Sequence, residues 1–389
     1  MKKIFFFLAA AIVVFAGCKK DDSSGSNGGG NGGGLVNGGG DNNDKCANCI
    51  VVTDSKTYSI DATVRGNGVL PEGLDESEKN GLNLDLIPDD VKLIWQEEAG
   101  WITSLSFNKE KKQIEFATKG TPGNALVASM TEYGLILWSW HIWNPGEGVE
   151  IDKVNLGSTS KEFGNPGVFG LHYQWGRKEP FPSGSKIKYI VADGNVTVRS
   201  YYDDKGNAVD FTRSGATGLH NTLQTCIVYP TEYQTNKWLS GTVDYLKTGC
   251  DDLWGGESKK KTLLDPCPAG YRVSRASDFM NPKELKQTYY AEWTEFGGWN
   301  VQQRVGEDWE TLLYIPAAGS YDGETGIYRG GTPGYKGYYW LSDKESDGRA
   351  KSVVFDDNGI QYSQDPWYDF LSTASPRSDA FTVRCLKDE

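Results

Sequence analysis

The chain has 389 residues and a formal charge of −12, with 38% hydrophobic and 24% charged residues. That length suggests two or three domains with a buried core. The acidic balance excludes nucleic acid and anionic lipid as charge-driven partners, because no basic patch offsets phosphate repulsion. Glycine is abundant at 48 residues, Trp and Tyr number 13 and 20, and Met and His only 3 each. That mix fits an all-β or α+β extracellular protein better than a helical one.

Residues 1–18 carry two lysines, an apolar run from Ile4 to Phe15, then Ala16-Gly17-Cys18. The run is too short to span a bilayer and reads as the core of a signal peptide. Its Phe-Ala-Gly-Cys ending resembles a bacterial lipobox, which makes Cys18 the lipidated residue and mature N-terminus. The other reading is an ordinary signal peptide with an incidental cysteine. Lys19-Lys20-Asp21-Asp22 resembles the export signal of Bacteroidetes surface lipoproteins; a solvated charge cluster is the alternative. The expected location is the outer membrane, lipid-anchored and facing outward. Residues 19–45 form a tether, since Ser23–Asp44 is nearly all Gly, Asn, Ser and Asp and buries nothing. Such a chain reaches roughly 25–30 Å. It lacks the Lys-Ser/Thr, preceding strand and following helix of a phosphate loop.

Cys46 and Cys49 form a CxxC pair outside any thioredoxin-like context and without a second ligand pair for zinc. Seven cysteines less Cys18 leave six, an even number suited to disulfides in an oxidising compartment. Their connectivity is open, with fifteen possibilities.

From Ile50 to about Pro145 the pattern predicts strands. Residues 58–65 alternate with period two. Val91–Trp95 and Gln113–Ala117 read as strands, and Ala125–Met130 with Leu135–Trp143 reads as a hairpin about Glu132-Tyr133-Gly134. The run LILWSWHIW is apolar on both faces, which predicts a central strand. Trp138, Trp140 and Trp143 suit core packing better than a sugar platform. His141 alone suits a hydrogen-bonded core residue better than a metal ligand. Residues 46–147 are thus expected to form a β-sandwich.

ANCIVVTDSKTYSIDATVRGNG, GNALVAS and LILWSWHIW resemble the N-terminal domain of a family of Bacteroidales surface lipoproteins, some of which are placed with the fimbrillin group. GLHYQWGRKEPFP, LWGG, DPCPAGYRV, YYWLS and FTVRC resemble the Fibrobacter succinogenes major paralogous domain. That domain is similar to C-type-lectin and formylglycine-generating-enzyme folds. The resemblance implies an α+β C-type-lectin-like domain over residues 148–389. It also implies a structural bridge between Cys267 of DPCPAGYRV and Cys385 of FTVRC. Cys226 and Cys250 are a second expected pair, stapling a weakly patterned insertion. The calcium motifs of sugar-binding lectins are replaced by Glu179-Pro180-Phe181 and Trp299-Asn300-Val301, so a calcium site is not expected.

Within the second domain, Asn281-Pro282 offers a cap and first-turn proline for a helix through Tyr290. Leu312–Ala318, Gly337–Ser342, Ala350–Phe355 and Ala380–Leu386 read as strands. Ligands usually meet such a scaffold at its loops. Trp175, Arg177 and Lys178 form a candidate cradle, because Arg–aromatic pairs suit sugars or carboxylates. The alternative places Trp175 in the core and pairs Arg177 with an acid. Trp254, Trp367 and Tyr368 are further ligand-binding candidates. No GxSxG, HExxH or EF-hand loop is present, so no catalytic residue, metal or cofactor is expected. The expected function is a non-catalytic, surface-anchored binding module that captures a glycan or protein in adhesion. A fimbria-associated component and a carbohydrate-active hydrolase are the alternatives.

Overall fold

The chain alternates short strands and tight turns. β1 (Cys49–Val51) and β2 (Tyr58–Asp61) precede a short helix, α1 (Glu76–Asn83). Then come β3 (Asp90–Gln96), β4 (Ile102–Asn108), β5 (Gln113–Thr118), β6 (Gly123–Met130) and β7 (Ile136–Asn144). After a 3₁₀ turn at Ile151–Lys153 follow β8 (His172–Gln174), β9 (Tyr189–Ala192), β10 (Asn195–Tyr202), β11 (Ala208–Arg213), α2 (Leu223–Val228), β12 (Glu232–Tyr233) and β13 (Tyr271–Val273). The remainder is β14 (Leu285–Tyr289), β15 (Gly298–Val305), β16 (Asp308–Pro316), β17 (Ser320–Tyr321), β18 (Tyr328–Arg329) and β19 (Lys336–Lys344). It ends with β20 (Arg349–Asp356), β21 (Gly359–Ile360), β22 (Ser372–Pro376), β23 (Ala380–Val383) and β24 (Cys385–Lys387). The computed structural model describes residues 46–183, 189–192, 195–213, 222–235, 238–239, 250–278, 285–289, 297–305, 308–329, 336–345, 348–356, 359–360 and 372–388. The expected lipobox and tether lie outside them.

The protein is mostly β-sheet with a few short helices. One large sheet runs β1-β7-β6-β3-β10-β11-β12, with β9 beside β10; a second runs β18-β17-β23-β19-β20-β21, joined by β8 and β22. β7, apolar on both faces and buried from Trp138 to Asn144, lies inside the sheet one strand from its edge. It pairs in parallel with β1, Cys49 opposite His141, and antiparallel with β6, Leu126 opposite His141. Trp138, Trp140 and Trp143 are all buried in the core.

The first sheet crosses the expected boundary between residues 147 and 148. Tyr202 of β10 pairs with Gln96 of β3, and the Gln96 amide donates to the Asp203 carbonyl at 3.0 Å. The rings of Trp95 and Tyr201 pack across this seam at a tilt of 34°, with centroids 4.7 Å apart. One hydrophobic cluster spans Cys49 to Cys385, and the boundary falls inside a single unit, Gly33–Glu389.

Three local expectations change. Leu285–Tyr289 is a strand, not the second turn of a helix, and it pairs along its full length with β15. A partner strand outweighs the capping signal when the segment carries Thr and Tyr. The strand from Tyr58 stops at Asp61, whose carboxylate accepts from the Thr63 amide at 2.9 Å and its hydroxyl at 2.6 Å. That Asx turn diverts the chain despite continued alternation. α1 replaces part of an expected all-strand stretch; Asp75 caps it by accepting from the Glu78 amide at 2.8 Å.

The bridge between Cys267 and Cys385 is formed, with Cα atoms 5.8 Å apart across a sequence separation of 118. By the chain-entropy estimate such a loop contributes about 4–5 kcal/mol. Cys226 and Cys250 do not make the second expected bridge. They are separate buried thiols, each pushed up to about 12 by desolvation. Their positions on α2 and after the insertion do not bring the sulfurs together.

Asp265, in the same turn as Cys267, is fully buried and organises its surroundings. Its carboxylate accepts from the Lys261 ammonium at 2.6 Å, the Cys267 amide at 2.8 Å and the Val273 amide at 3.0 Å. Its carbonyl accepts from the Asn48 side chain at 2.8 Å. Removing one partner of a buried ion pair leaves the other uncompensated. Asp265→Asn is therefore expected to lower stability by about 3–5 kcal/mol, read from urea midpoints with the disulfide intact. An unchanged midpoint would count against this role.

Candidate functional site

Gly170–Pro182 was the leading candidate loop, and it is core. Gly176, at φ +81°, turns the chain where a Cβ would strike the Leu253 side chain. Its neighbours then point inward. The Trp175 indole donates to the Leu341 carbonyl at 2.9 Å and packs against Trp254, ring centroids 5.8 Å apart. The Arg377 guanidinium covers its ring at 4.4 Å. Trp175 and Trp254 are 0% and 1% exposed, so neither meets a ligand at the surface.

Arg177 is equally committed. It donates to Gln174 Oε1 at 2.9 Å and to the Glu232 carbonyl at 2.8 Å, and pairs with Glu179 at 3.5 Å. The reading in which Trp175 is core and Arg177 meets an acid is the correct one. Trp367 and Tyr368 lie outside the described residues.

Lys178 and Glu179 form a sealed ion pair at 2.6 Å. The ammonium also donates to the Ser139 hydroxyl at 2.6 Å and lies 4.2 Å from the Trp138 ring centroid. Burial pushes Lys178 down, opposed mainly by Glu179. A serine hydroxyl beside a lysine is the geometry of an activated nucleophile. Here Ser139, Lys178 and Glu179 are all buried, each 2% exposed or less, so the serine is not presented at the described surface. The sequence pointed to Arg177 and Lys178 but not to Ser139, which arrives from β7.

His141 and His172 are buried with neutral rings. His141 Nε2–H donates to Asn124 Oδ1 at 2.9 Å, and the Asn124 amide donates to Glu97 and the Gly157 carbonyl, each at 2.8 Å. His172 Nε2–H donates to the Gly319 carbonyl at 3.0 Å. Burial pulls the two rings from 6.5 down to about 3 and about 4. Among the described residues no group of three His, Cys, Asp or Glu is placed to hold a metal ion.

Among the described residues, a surface concavity of about 790 Å³ lies where β3 meets the β10–β11 turn and β11. Its walls include Lys92, the β6–β7 turn with Tyr133 and Leu135, the β10–β11 turn with Asp203 and Lys205, and Tyr229 after α2. Tyr133 is 88% exposed, Tyr229 52% and Leu135 50%, and these are three of the most exposed large apolar side chains described. Asp203 is used up locally, accepting from the Lys205 amide at 2.9 Å and the Asn207 amide at 2.7 Å. The smaller cleft, about 280 Å³, lies between the 3₁₀ turn at Ile151–Lys153 and β16, with Arg384 in its wall.

Tyr133 was legible as an aromatic at a turn; Tyr229 carried no signal, since its segment lacks periodicity. No family model matches the chain, and no curated protein or solved structure matches it significantly. The resemblances drawn above rest on their motifs alone.

The neutral histidines carry a pH dependence. Unfolded, each ring takes a proton below about 6.5; folded, neither does until about pH 4 or lower. Their contribution is fully present above the unfolded value and is lost as pH falls, by up to about 1.4 kcal/mol per pH unit per histidine. His141→Gln is expected to lose stability at pH 7 and to show roughly half the histidine-dependent decline between pH 6.5 and 4.5. Urea midpoints across that range check this; an unaltered pH slope would contradict it.

Proposed function

We propose that the protein is a surface-anchored, non-catalytic binding module, held by a lipidated Cys18 at the outer membrane, that captures an extracellular glycan or protein in adhesion. The groove rimmed by Tyr133, Leu135 and Tyr229 is the observation that carries this reading. Exposed aromatic faces beside charged hydrogen-bonding groups are what a sugar ring needs: stacking for its C–H face and partners for its hydroxyls. Its volume lies within the range of small-ligand sites. The tether places such a groove some tens of ångströms from the membrane. In this reading the body is lectin-like in role, and its second half corresponds to the α+β C-type-lectin-like domain that DPCPAGYRV and FTVRC resemble.

The alternatives draw less support. A fimbrial component assembled by strand exchange needs a removable strand. β1, the first strand after the tether, is buried between β7 and the turn at Pro268. A hydrolase needs two free facing acids. Glu179 is sealed beside two cations. Of the acids lining the groove, Asp203 is occupied by its own turn and Glu232 accepts from the Gln234 side chain at 3.3 Å, which leaves Asp204 without a second free acid beside it.

Tyr133→Ala combined with Tyr229→Ala is expected to abolish retention of the protein on a glycan array while leaving its thermal midpoint within about 2 °C, since both side chains are exposed. Undiminished retention by the double variant would move the site elsewhere. Absence of any glycan bound by the parent chain would remove the glycan form of the proposal.

A further inference from the structure

The smaller cleft goes beyond that reading, because it is built from different elements. Arg384 lies in its wall and is 3% exposed. Its Nη2 donates to the Tyr314 carbonyl at 2.7 Å, while Nε and Nη1 have no hydrogen-bond partner. Asn155 sits opposite Arg384 across a β-bridge and is fully buried. Its amide donates to the Phe169 carbonyl at 3.0 Å, but its Oδ1 is unpartnered. The Tyr339 hydroxyl donates to the Pro316 carbonyl at 2.9 Å and shares side-chain hydrogen bonds with Arg384 and Asn155, so the unpartnered atoms are Nε and Nη1 of Arg384 and Oδ1 of Asn155. Asp152 acts on Arg384 only at longer range, with no ion pair between them.

Unpaired buried donors and acceptors cost about 1–3 kcal/mol each and are found where something else satisfies them. The mouth of the cleft adds Lys153 and Lys161, both exposed, against one acid, Glu150. Lys153 pairs with Glu150 at 3.1 Å and Lys161 donates to the Gly148 carbonyl at 3.1 Å. The cleft thus holds a cationic excess in a chain of net charge −12. Val154, Val168 and Pro316 supply apolar wall, and Tyr314 meets Phe163 edge-on, ring centroids 5.7 Å apart.

We propose that this cleft binds a small hydroxy-carboxylate of monosaccharide size, a uronic-acid-type sugar, with Arg384, Lys153 and Lys161 facing the carboxylate and Asn155 accepting from a hydroxyl. Inorganic phosphate matches the cations and can donate a P–OH to Asn155, but it has no apolar face to lay against Val154, Val168 and Pro316. A neutral sugar has that face and hydroxyls for Asn155 and the guanidinium, but no charge to balance the cations. Both the donor set and the acceptor are met by a ring bearing a carboxylate and hydroxyls, and a cavity of about 280 Å³ suits one such ring.

The test is calorimetric titration of the full chain in detergent with D-glucuronate, D-glucose and inorganic phosphate. Saturable glucuronate binding is expected, with glucose and phosphate at least about tenfold weaker, since each charge-assisted bond is worth about a factor of ten or more. Arg384→Gln removes the buried charge. Because that variant may fail to fold, Lys153→Gln with Lys161→Gln, both at exposed positions, is the second arm and is expected to weaken glucuronate about tenfold. Tyr133→Ala, in the groove, is expected to leave it unchanged. No saturable glucuronate binding would overturn the proposal. So would equal binding of glucose or phosphate, or binding that the double lysine variant does not alter.

Discussion

Asp265 is the point at which the beginning, middle and end of the fold are tied. Its carboxylate holds Lys261 and the amides of Cys267 and Val273, and its carbonyl holds the Asn48 side chain. Asn48 in turn donates to the Leu263 carbonyl at 2.7 Å and accepts from the Trp138 indole at 2.9 Å. Cys267 then reaches Cys385 through the disulfide, and Val273 pairs with Cys385 in the β13–β24 ladder. A buried carboxylate is tolerated only when its oxygens are fully used, and here they are. The first described strand is therefore anchored to the turn at Asp265, beside the covalently closed part of the core.

This joint explains why the sheet ignores the boundary suggested by the motifs. β1 must lie beside β7 to bring Asn48 to Asp265, so the first and second halves of the chain share one interior. The seam continues where Trp95 meets Tyr201 and Gln96 meets Tyr202. The surface groove forms at that seam, because two halves meeting edge to edge leave a concavity between their turns. Groove and architecture are linked in this sense: the groove exists only while the shared sheet does.

Part of this was legible in the residues. LILWSWHIW is apolar on both faces, and only a strand covered on both sides satisfies that pattern. DPCPAGYRV and FTVRC were legible as the two ends of a bridge through resemblance to a known motif order. What was not legible depended on long-range pairing. Arg177, Lys178 and Glu179 look like an exposed charged loop until Ser139 and Gln174 are placed around them. Leu285–Tyr289 follows a good helix start, yet its partner strand decides its conformation. Arg384 reads as an ordinary strand residue; its significance comes from Asn155, more than two hundred residues earlier. The Cys226–Cys250 pairing failed because shared membership of an insertion says nothing about where two thiols point.

The central claim is that one buried joint at Asp265 couples the first described strand to the disulfide-closed core. Native-state hydrogen exchange, followed amide by amide, tests it most directly. The account requires that the amides of Ile50, Val52, Cys267 and Val273 exchange only through global unfolding, with a common free energy and a common denaturant dependence. Release of the 50–52 amides at a free energy several kcal/mol below that of Cys267 and Val273 would contradict it, because the first strand would then open independently of the turn that is said to hold it.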